Sequence, residues 1–398
     1  MTHHTALIES AVIDDRRRPP GHGPGHGPGH GPGHGPGHGP GHGSVEDRLG
    51  VFGGVDTHLD FHVVAAVNAL GALLATATFP TTISGYRALV AWLRSWGPLV
   101  AVGVEGTGSY GAALARYLDQ QQVRVVEVNR PDRAQRRRRG KTDAYDAEAA
   151  ARTTLAGEGN AAKINHGPVE SLRMLKVAYD SAIKQRTAAL NQMTQLIVTA
   201  PEQLRASLTG LSKNTLPEHC ARFRPDRTRL ADPTQAAKNA LRGLARRVLD
   251  LTEEATALEA DITHLTQRLA PATSSAQGVG PHAVARLLIT LGENPQRFTS
   301  EAAFAALCGT SPIPASSGKT DRHRLNRGGN RQANSALHMA VLSRLAHDPK
   351  TRAYIAARTT DGKSTPHLRR KLKRYLAREL FTLLRTDLRA LNTPTHTA

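Results

Sequence analysis

The chain has 398 residues and a formal net charge of +19, from 52 Lys and Arg against 33 Asp and Glu, with a pI near 10.6. That length accommodates two or three domains with a sizeable core, and a field of that sign favours polyanions, so nucleic acid is the expected partner. Only Cys220 and Cys308 are present, which excludes a disulfide framework. No run approaches the ~18 apolar residues of a membrane span, and Met1 to Arg18 lacks a signal-peptide core, so the expectation is a cytoplasmic protein with no membrane partner.

Residues 20–43 are six copies of Pro-Gly-His-Gly. Glycine and proline at that density bury no core, so residues 1–49 are read as a disordered tail. Its histidines could hold zinc or nickel weakly, but the composition alone favours a flexible tail with no dedicated ligand. From Val51 the texture changes. Val51 to Val55, His62 to Val67 and Leu70 to Phe79 read as strands, the last two joined by a turn at Asn68 to Gly71. Ile83 to Trp96 has helical spacing, Leu99 to Val104 is an apolar strand, Gly111 to Gln121 a helix and Val123 to Val128 a strand. After a basic stretch, Thr142 to Leu155 reads as a helix. Residues 50–160 are therefore expected to form a mixed sheet covered by helices, an α/β domain.

Leu172, Leu175, Tyr179, Ile183, Leu190, Met193 and Ile197 follow a helical repeat that Pro201 ends. Leu241, Leu244, Val248, Leu251, Ala255, Leu258, Ile262, Leu265 and Leu269 alternate spacings of three and four, the signature of a coiled coil. Residues 161–272 are expected to be an antiparallel helical hairpin, packed within one chain or open to dimerisation. From 273 to 390 the pattern is mainly helical, with Asn334 to His347 and Leu368 to Leu384 as helices and 391–398 as a tail. Gly278-Val-Gly-Pro281, followed by Ala283 to Leu291, resembles a helix-hairpin-helix whose glycine turn approaches a phosphate; a glycine-capped helix start with no ligand reads equally well.

Four acids stand out by position. Asp56 closes the first strand and Glu105 a later one, while Asp143 and Asp146 share a face at a helix start. Oxygen ligands so placed suit hard divalent cations, and two such ions can promote phosphoryl transfer. For any one acid a cap or a surface carboxylate is the plainer reading, and Asp143 could cap its helix. As a set they are harder to dismiss, because carboxylates at buried strand ends are costly unless paired or metal-bound. A second constellation runs from Cys308 to Lys319 and on to Arg331. Ser316 and Ser317 lie in a Gly- and Pro-rich loop flanked by Lys319, Arg322, Arg324, Arg327, Asn330 and Arg331. A serine there is either an activated nucleophile beside phosphate-binding cations, or only a hydrogen-bonding member of a phosphate loop.

These blocks carry a resemblance. Gly54-Val-Asp-Thr-His58, Val104-Glu-Gly-Thr-Gly-Ser-Tyr110, Lys141-Thr-Asp-Ala-Tyr-Asp-Ala147, Gly309-Thr-Ser-Pro through Ser316-Ser-Gly318, and Arg327-Gly-Gly-Asn-Arg331 resemble the DEDD-type transposases of insertion sequences, the bridge-RNA-guided recombinases. The resemblance covers about Val51 to Gly157 and Gly278 to Leu384. It implies an RNase H-like (RuvC-like) domain whose Asp56, Glu105, Asp143 and Asp146 bind Mg²⁺ or Mn²⁺. It also implies that Ser317, with Ser316 adjacent, attacks a DNA phosphate to form a phosphoserine. A site composed across a homo-oligomer, dimer or tetramer, and a structured non-coding RNA pairing with donor and target DNA are implied too. The Pro-Gly-His-Gly tail departs from the family pattern.

Arg136, Arg137, Arg138 and Arg139 precede Lys141 and the paired aspartates, and Arg369, Arg370, Lys371, Lys373 and Arg374 crowd a late helix. Aromatic residues make up 4 % of the chain, so backbone contacts by cations are expected rather than extended base stacking. A solvated helix face is the plainer reading of the late cluster. Two rival functions remain open at this point: a Holliday-junction-type nuclease using the carboxylates and water, and a non-catalytic nucleic-acid-binding protein.

Overall fold

The computed structural model describes residues 50–128, 142–163, 167–294, 297–298, 300–315, 323–360, 362 and 364–392. The Pro-Gly-His-Gly segment, Arg136 to Arg139, Lys141, Ser316, Ser317, Lys319 and Arg322 lie outside these described residues.

Six strands form one sheet: β1 (Val51–Thr57), β2 (Phe61–Asn68), β3 (Leu73–Pro80), β4 (Leu99–Glu105), β5 (Arg124–Val128) and β6 (Asn160–Ala161). Their order is β3-β2-β1-β4-β5-β6. β1, β2 and β3 run antiparallel, β1, β4 and β5 run parallel, and β6 returns antiparallel to β5. The mixed α/β sheet expected from the sequence is present. β3 begins at Leu73 rather than Leu70 because the Asn68 side chain accepts from the amides of Leu70 and Ala72, and Gly71 takes a φ of 80°. That is the chemistry of a turn, and it uses up the residues that alternate like a strand.

Strand periodicity sorts the sheet into two faces. Val51 and Val55 of β1 and Val102 and Val104 of β4 pack with Leu89, Leu93, Leu114 and Leu118. These leucines lie on α1 (Ile83–Arg94) and α2 (Ala112–Gln120). Phe52 and Ala101, on the opposite face, pack with Ala150 of α3 (Asp143–Leu155). This second face is unusually close to its helix. A Cβ built at Gly54 would lie 2.1 Å from the Ala151 amide nitrogen and 2.2 Å from the Ala147 carbonyl oxygen. One at Gly103 would lie 2.1 Å from Thr154 Oγ1. Only residues without a side chain allow the helix backbone to rest on the strands here.

Two long helices follow, α4 (Pro168–Thr199) and α7 (Pro233–Leu269), with α5 (Glu202–Leu208) and α6 (Thr215–Ala221) between them. Met193 clusters with Leu241, Ala182 with Leu251 and Ala255, and Leu172 with Ile262. Rising numbers on one helix meet falling numbers on the other, so the pair is antiparallel, and the heptad seam is filled within the chain. The short helices α5 and α6 escape a pattern-based reading because each contributes too few apolar positions to set a period.

The remainder is helical: α8 (Pro271–Ser274), α9 (Pro281–Leu291), α10 (Glu301–Leu307), α11 (Arg331–His347), α12 (Pro349–Thr360) and α13 (Thr365–Asn392), with a hairpin of β7 (Ile313–Pro314) and β8 (His323–Arg324). Gly278, with φ of 76°, brings the turn before α9 against α11, where an added Cβ would meet Arg344 Cγ at 2.9 Å. Its core is continuous with the near ends of α4 and α7 through Val169, Leu172, Ile262 and Leu269. Asp387 of α13 accepts from the amides of Ala272 and Thr273 at 3.0 and 2.9 Å, capping α8.

Replacing Gly54 by alanine forces either strand or helix to move, a strain worth about 1–3 kcal/mol. A Gly54→Ala chain is expected to unfold several degrees below the wild type in a thermal melt; an unchanged midpoint contradicts the close packing of α3.

Candidate functional site

The α3 face of the sheet decides which side chains meet. Phe52, Gly54 and Asp56 alternate onto it from β1, and Ala101, Gly103 and Glu105 from β4. The two strands are in parallel register with Val55 opposite Val104, so Asp56 and Glu105 end side by side. Thr57 Oγ1 donates to the Glu105 carbonyl at 3.0 Å and ties the two strand ends together. Above them α3 begins. Thr142 caps it, accepting from the Tyr145 amide at 3.3 Å, which leaves Asp143 free of the capping role. Asp143 and Asp146 lie in the first turn, where the helix dipole favours negative charge.

The four sequence-predicted acids therefore lie near enough for the other three to act on Asp56, although the tight cluster of ligand atoms among the described residues includes only Asp56 and Asp143 of the four. Asp56 and Asp146 are 9 % and 3 % exposed, whereas Asp143 is partly open to solvent. Burial, above all, raises the proton affinity of Asp56, and the charges of Glu105, Asp143 and Asp146 raise it further while His58 opposes them. Each of the other three acids thus repels the ionised Asp56. His58 is a member of the site that sequence reasoning omitted. Its Nε2 lies 3.2 Å from Asp56 Oδ2 and 3.4 Å from Asp143 Oδ2, and ligand atoms of the three residues lie within 4.8 Å of one another. The signal was available, since His58 follows Asp56 by two residues. Buried oxygens with excess negative charge fit a hard divalent cation, whose charge would relieve the repulsion that raises the Asp56 proton affinity.

The second constellation is built around the turn before α11. Asn330 caps this helix, its Oδ1 accepting from the amides of Gln332 and Ala333 at 2.9 and 3.0 Å. Asn334 donates to the carbonyls of Cys308 and Gly309 at 2.8 and 3.2 Å, and Lys373 Nζ donates to Asn334 Oδ1 at 2.8 Å. Pairing of Ile313 with Arg324 and of Pro314 with His323 brings together the two ends of the segment that carries Ser316 and Ser317. Beside this hairpin lies a cavity of about 470 Å³, whose lining includes Arg324, His367, Arg370, Lys371 and Tyr375.

The basic residues divide into two kinds. Arg324, Arg327, Arg331, Arg370 and Lys371 are exposed and Arg369 is half-buried. Lys373 is buried on Asn334, and Arg374 is ion-paired with Glu301, so both brace the protein as well as bordering the cavity. Neither cysteine is a nucleophile candidate. Burial pushes the Cys220 thiol up to about 11 and the Cys308 thiol up to about 12.

Comparison with known proteins matches two stretches of the chain to transposase families. Residues 53–200 match a family model of the DEDD type described as a transposase, and residues 271–356 match one described as the transposase IS116/IS110/IS902 family. The Insertion element IS110 uncharacterized 43.6 kDa protein of Streptomyces coelicolor is 34 % identical over 146 residues, 36 % of this chain and 36 % of that relative. The alignment thus spans about a third of the relative's length.

Because Asp56 has a higher proton affinity in the fold than its ordinary value of 3.8, its protonated form favours folding. That contribution is present below the ordinary value and is lost as pH rises through the folded value. In chelator at neutral pH, Asp56→Asn is expected to melt above the wild type, the gap closing as pH falls toward the ordinary carboxylate range. A lower melting point for the variant at neutral pH contradicts the crowding of charge.

Proposed function

The chain belongs to the DEDD-type insertion-sequence transposases of the IS110 group, and from that membership we propose that it cuts and rejoins DNA strands during transposition. The observation that carries this reading is the gathering of Asp56, Glu105, Asp143 and Asp146 at one end of a mixed sheet. In the proposed division of the chain, residues 50–160 form an RNase H-like, RuvC-like unit and residues 273–390 a serine-bearing unit, joined by the hairpin of 161–272.

Asp56, Glu105, Asp143 and Asp146 would hold Mg²⁺ or Mn²⁺, with His58 beside Asp56 and Asp143. When bound, such ions supply charge neutralisation and Lewis acidity at the attacked phosphate. Asp56 and Glu105 are set side by side by the strand register, and Asp146 is buried in the first turn of α3. Ser317, or Ser316 next to it, is the proposed nucleophile. Its oxygen forms a bond to phosphorus as the bond to one sugar oxygen breaks. The hydroxyl proton is lost to solvent and the leaving sugar oxygen takes up a proton, so charge and atoms balance. The phosphodiester is conserved as a phosphoserine that a second strand can resolve. Lys319, Arg324, Arg327 and Arg331 are the cations proposed to bind the phosphate, whose developing charge guanidinium groups stabilise.

Donor and target DNA are the proposed substrates, a structured non-coding RNA the proposed source of sequence choice, and a homo-oligomer the working form. With few aromatic residues and many arginines, the protein's own contacts fall on backbone phosphates. Arg136 to Arg139, Lys141, Arg369, Arg370 and Lys371 are the cations proposed for that role.

A Ser317→Ala chain incubated with element-end DNA and Mg²⁺ is expected to lose the covalent protein–DNA adduct on a denaturing gel while retaining DNA binding within about twofold. Adduct that persists in both Ser317→Ala and Ser316→Ala contradicts a serine nucleophile, and cleavage without any adduct in the wild type favours a water-using nuclease instead.

A further inference from the structure

A second basic recess lies next to the carboxylate centre and is not used by the chemistry above. The loop that leaves Glu105 runs through Gly106, with φ of 66°, to Gly111, where α2 starts. On this loop Thr107 is 3 % exposed and its Oγ1 has no hydrogen-bond partner among the described residues. Thr107 and Gly108 line a recess of about 40 Å³ together with Arg116 of α2, Lys163, and Glu170 and Arg173 of α4. A buried water needs ~10–15 Å³ measured this way, so the space suits about three waters or one tetrahedral oxyanion.

The charges in this recess do not cancel. Arg173 holds Glu170 by two hydrogen bonds of 2.9 and 2.6 Å, which neutralises that pair. Arg116 approaches Glu170 only to 4.0 Å, and its side chain is 37 % exposed. Lys163 donates one hydrogen bond, to the Ile289 carbonyl at 2.8 Å, and an ammonium carries three donors. Burial, above all, and the neighbouring Arg297 and Arg173 lower the Lys163 proton affinity, against the opposing charges of Glu127 and Glu170. Among the described residues, two cations with donors to spare and a hydroxyl without a partner thus surround a space of oxyanion size. The recess is built from distant parts of the chain. Arg297 donates to the Ala161 carbonyl at 3.0 Å, and Glu293 accepts from the amides of Gly167 and Val169 at 2.9 and 2.7 Å, locking the segment that carries Lys163.

We propose that this recess binds a phosphate of the DNA backbone, gripped by Arg116, Lys163 and Thr107, one or two nucleotides from the phosphate presented to the carboxylates. Chain geometry sets that spacing, since Thr107 is two residues from Glu105 and two Cα steps span at most about 7 Å. DNA is the committed occupant because the loop is shared with Glu105, and to that extent the proposal rests on the reading of the carboxylates as a DNA-cutting centre. The grip is blind to sequence and fixes the strand's register over the metal centre.

The test uses the full-length chain and fluorescent element-end DNA, titrated from 50 to 200 mM salt. Arg116→Gln is compared with Arg87→Gln, which removes the same charge from an exposed position on α1. Arg116→Gln is expected to weaken binding roughly three- to tenfold on every DNA sequence and to lower the salt slope by about 0.9. Thr107→Val is expected to weaken binding in the same direction, and Arg87→Gln to change little. Equal behaviour of the Arg116 and Arg87 variants, at matched melting points, overturns the proposal. So does a loss confined to structured RNA, or inorganic phosphate raising the melting point of the wild type but not of Arg116→Gln while DNA binding stays equal. A wild-type chain that binds no DNA at all overturns the functional reading itself, and the recess falls with it.

Discussion

The contact of α3 with the sheet over Gly54 and Gly103 governs where the acids stand. A side chain at either glycine would overlap atoms of the helix at about 2.1 Å, so the helix and the sheet meet through backbone and small residues, Ala147, Ala150 and Ala151. Backbone contact leaves the helix little freedom to slide or tilt. The first turn of α3 is consequently fixed one turn above the strand ends, and Asp143 and Asp146 are delivered to Asp56 and Glu105. Apolar packing by larger side chains would hold a helix there equally strongly, yet it would set the acids several ångströms further apart.

That delivery opposes the ordinary tendency of charges to stay in water. Burial and three neighbouring carboxylates all disfavour ionised Asp56, and the group that opposes them is His58, whose Nε2 lies 3.2 Å from Asp56 Oδ2. Such a cluster is a poor stabiliser of a fold and a good receptor for a cation. The rest of the molecule shows the opposite arrangement. Arg344 and Glu379 form a two-bond pair at 2.8 and 2.6 Å, Glu301 takes both Arg374 and Arg378, and Asp387 satisfies the start of α8. These acids outside the centre are matched by donors, whereas the acids around Asp56 add to the charge that disfavours its ionised form. The excess positive charge of the chain accordingly rests on groups such as Arg324, Arg370, Lys371 and Arg116, which border open space.

Much of this was legible in the sequence. Alternation and apolar runs located β1, β2, β4, β5 and α1 to α3, and the heptads located α4 and α7, because each element is long enough to display its period. The four acids were visible because strand ends and a helix start are places where a carboxylate has a geometric reason to be. The interiors of the strands were not read for what they lacked. Gly54 and Gly103 sit inside strand patterns, a mark of close backbone approach, and only the fold identifies the helix that approaches. His58 was passed over for a related reason, since its role depends on Asp143, which is 85 residues further along the chain. In the late helix, sequence alone could not separate Lys373, which is engaged with Asn334, from Arg370 and Lys371, which are exposed. Periodicity assigns faces to a helix, and tertiary contacts decide which of those faces are covered.

The most direct measurement is the melting temperature of the full-length chain as Mg²⁺ or Mn²⁺ is added, for the wild type and for Glu105→Gln. Binding to the folded state alone stabilises by RT ln(1 + [L]/Kd), about 2.7 kcal/mol at a hundredfold excess over Kd. A rise that saturates with metal in the wild type and is largely abolished by Glu105→Gln is the expected result. Equal rises in the two chains, or none in either, contradict a cation centre shared by the strand ends and α3.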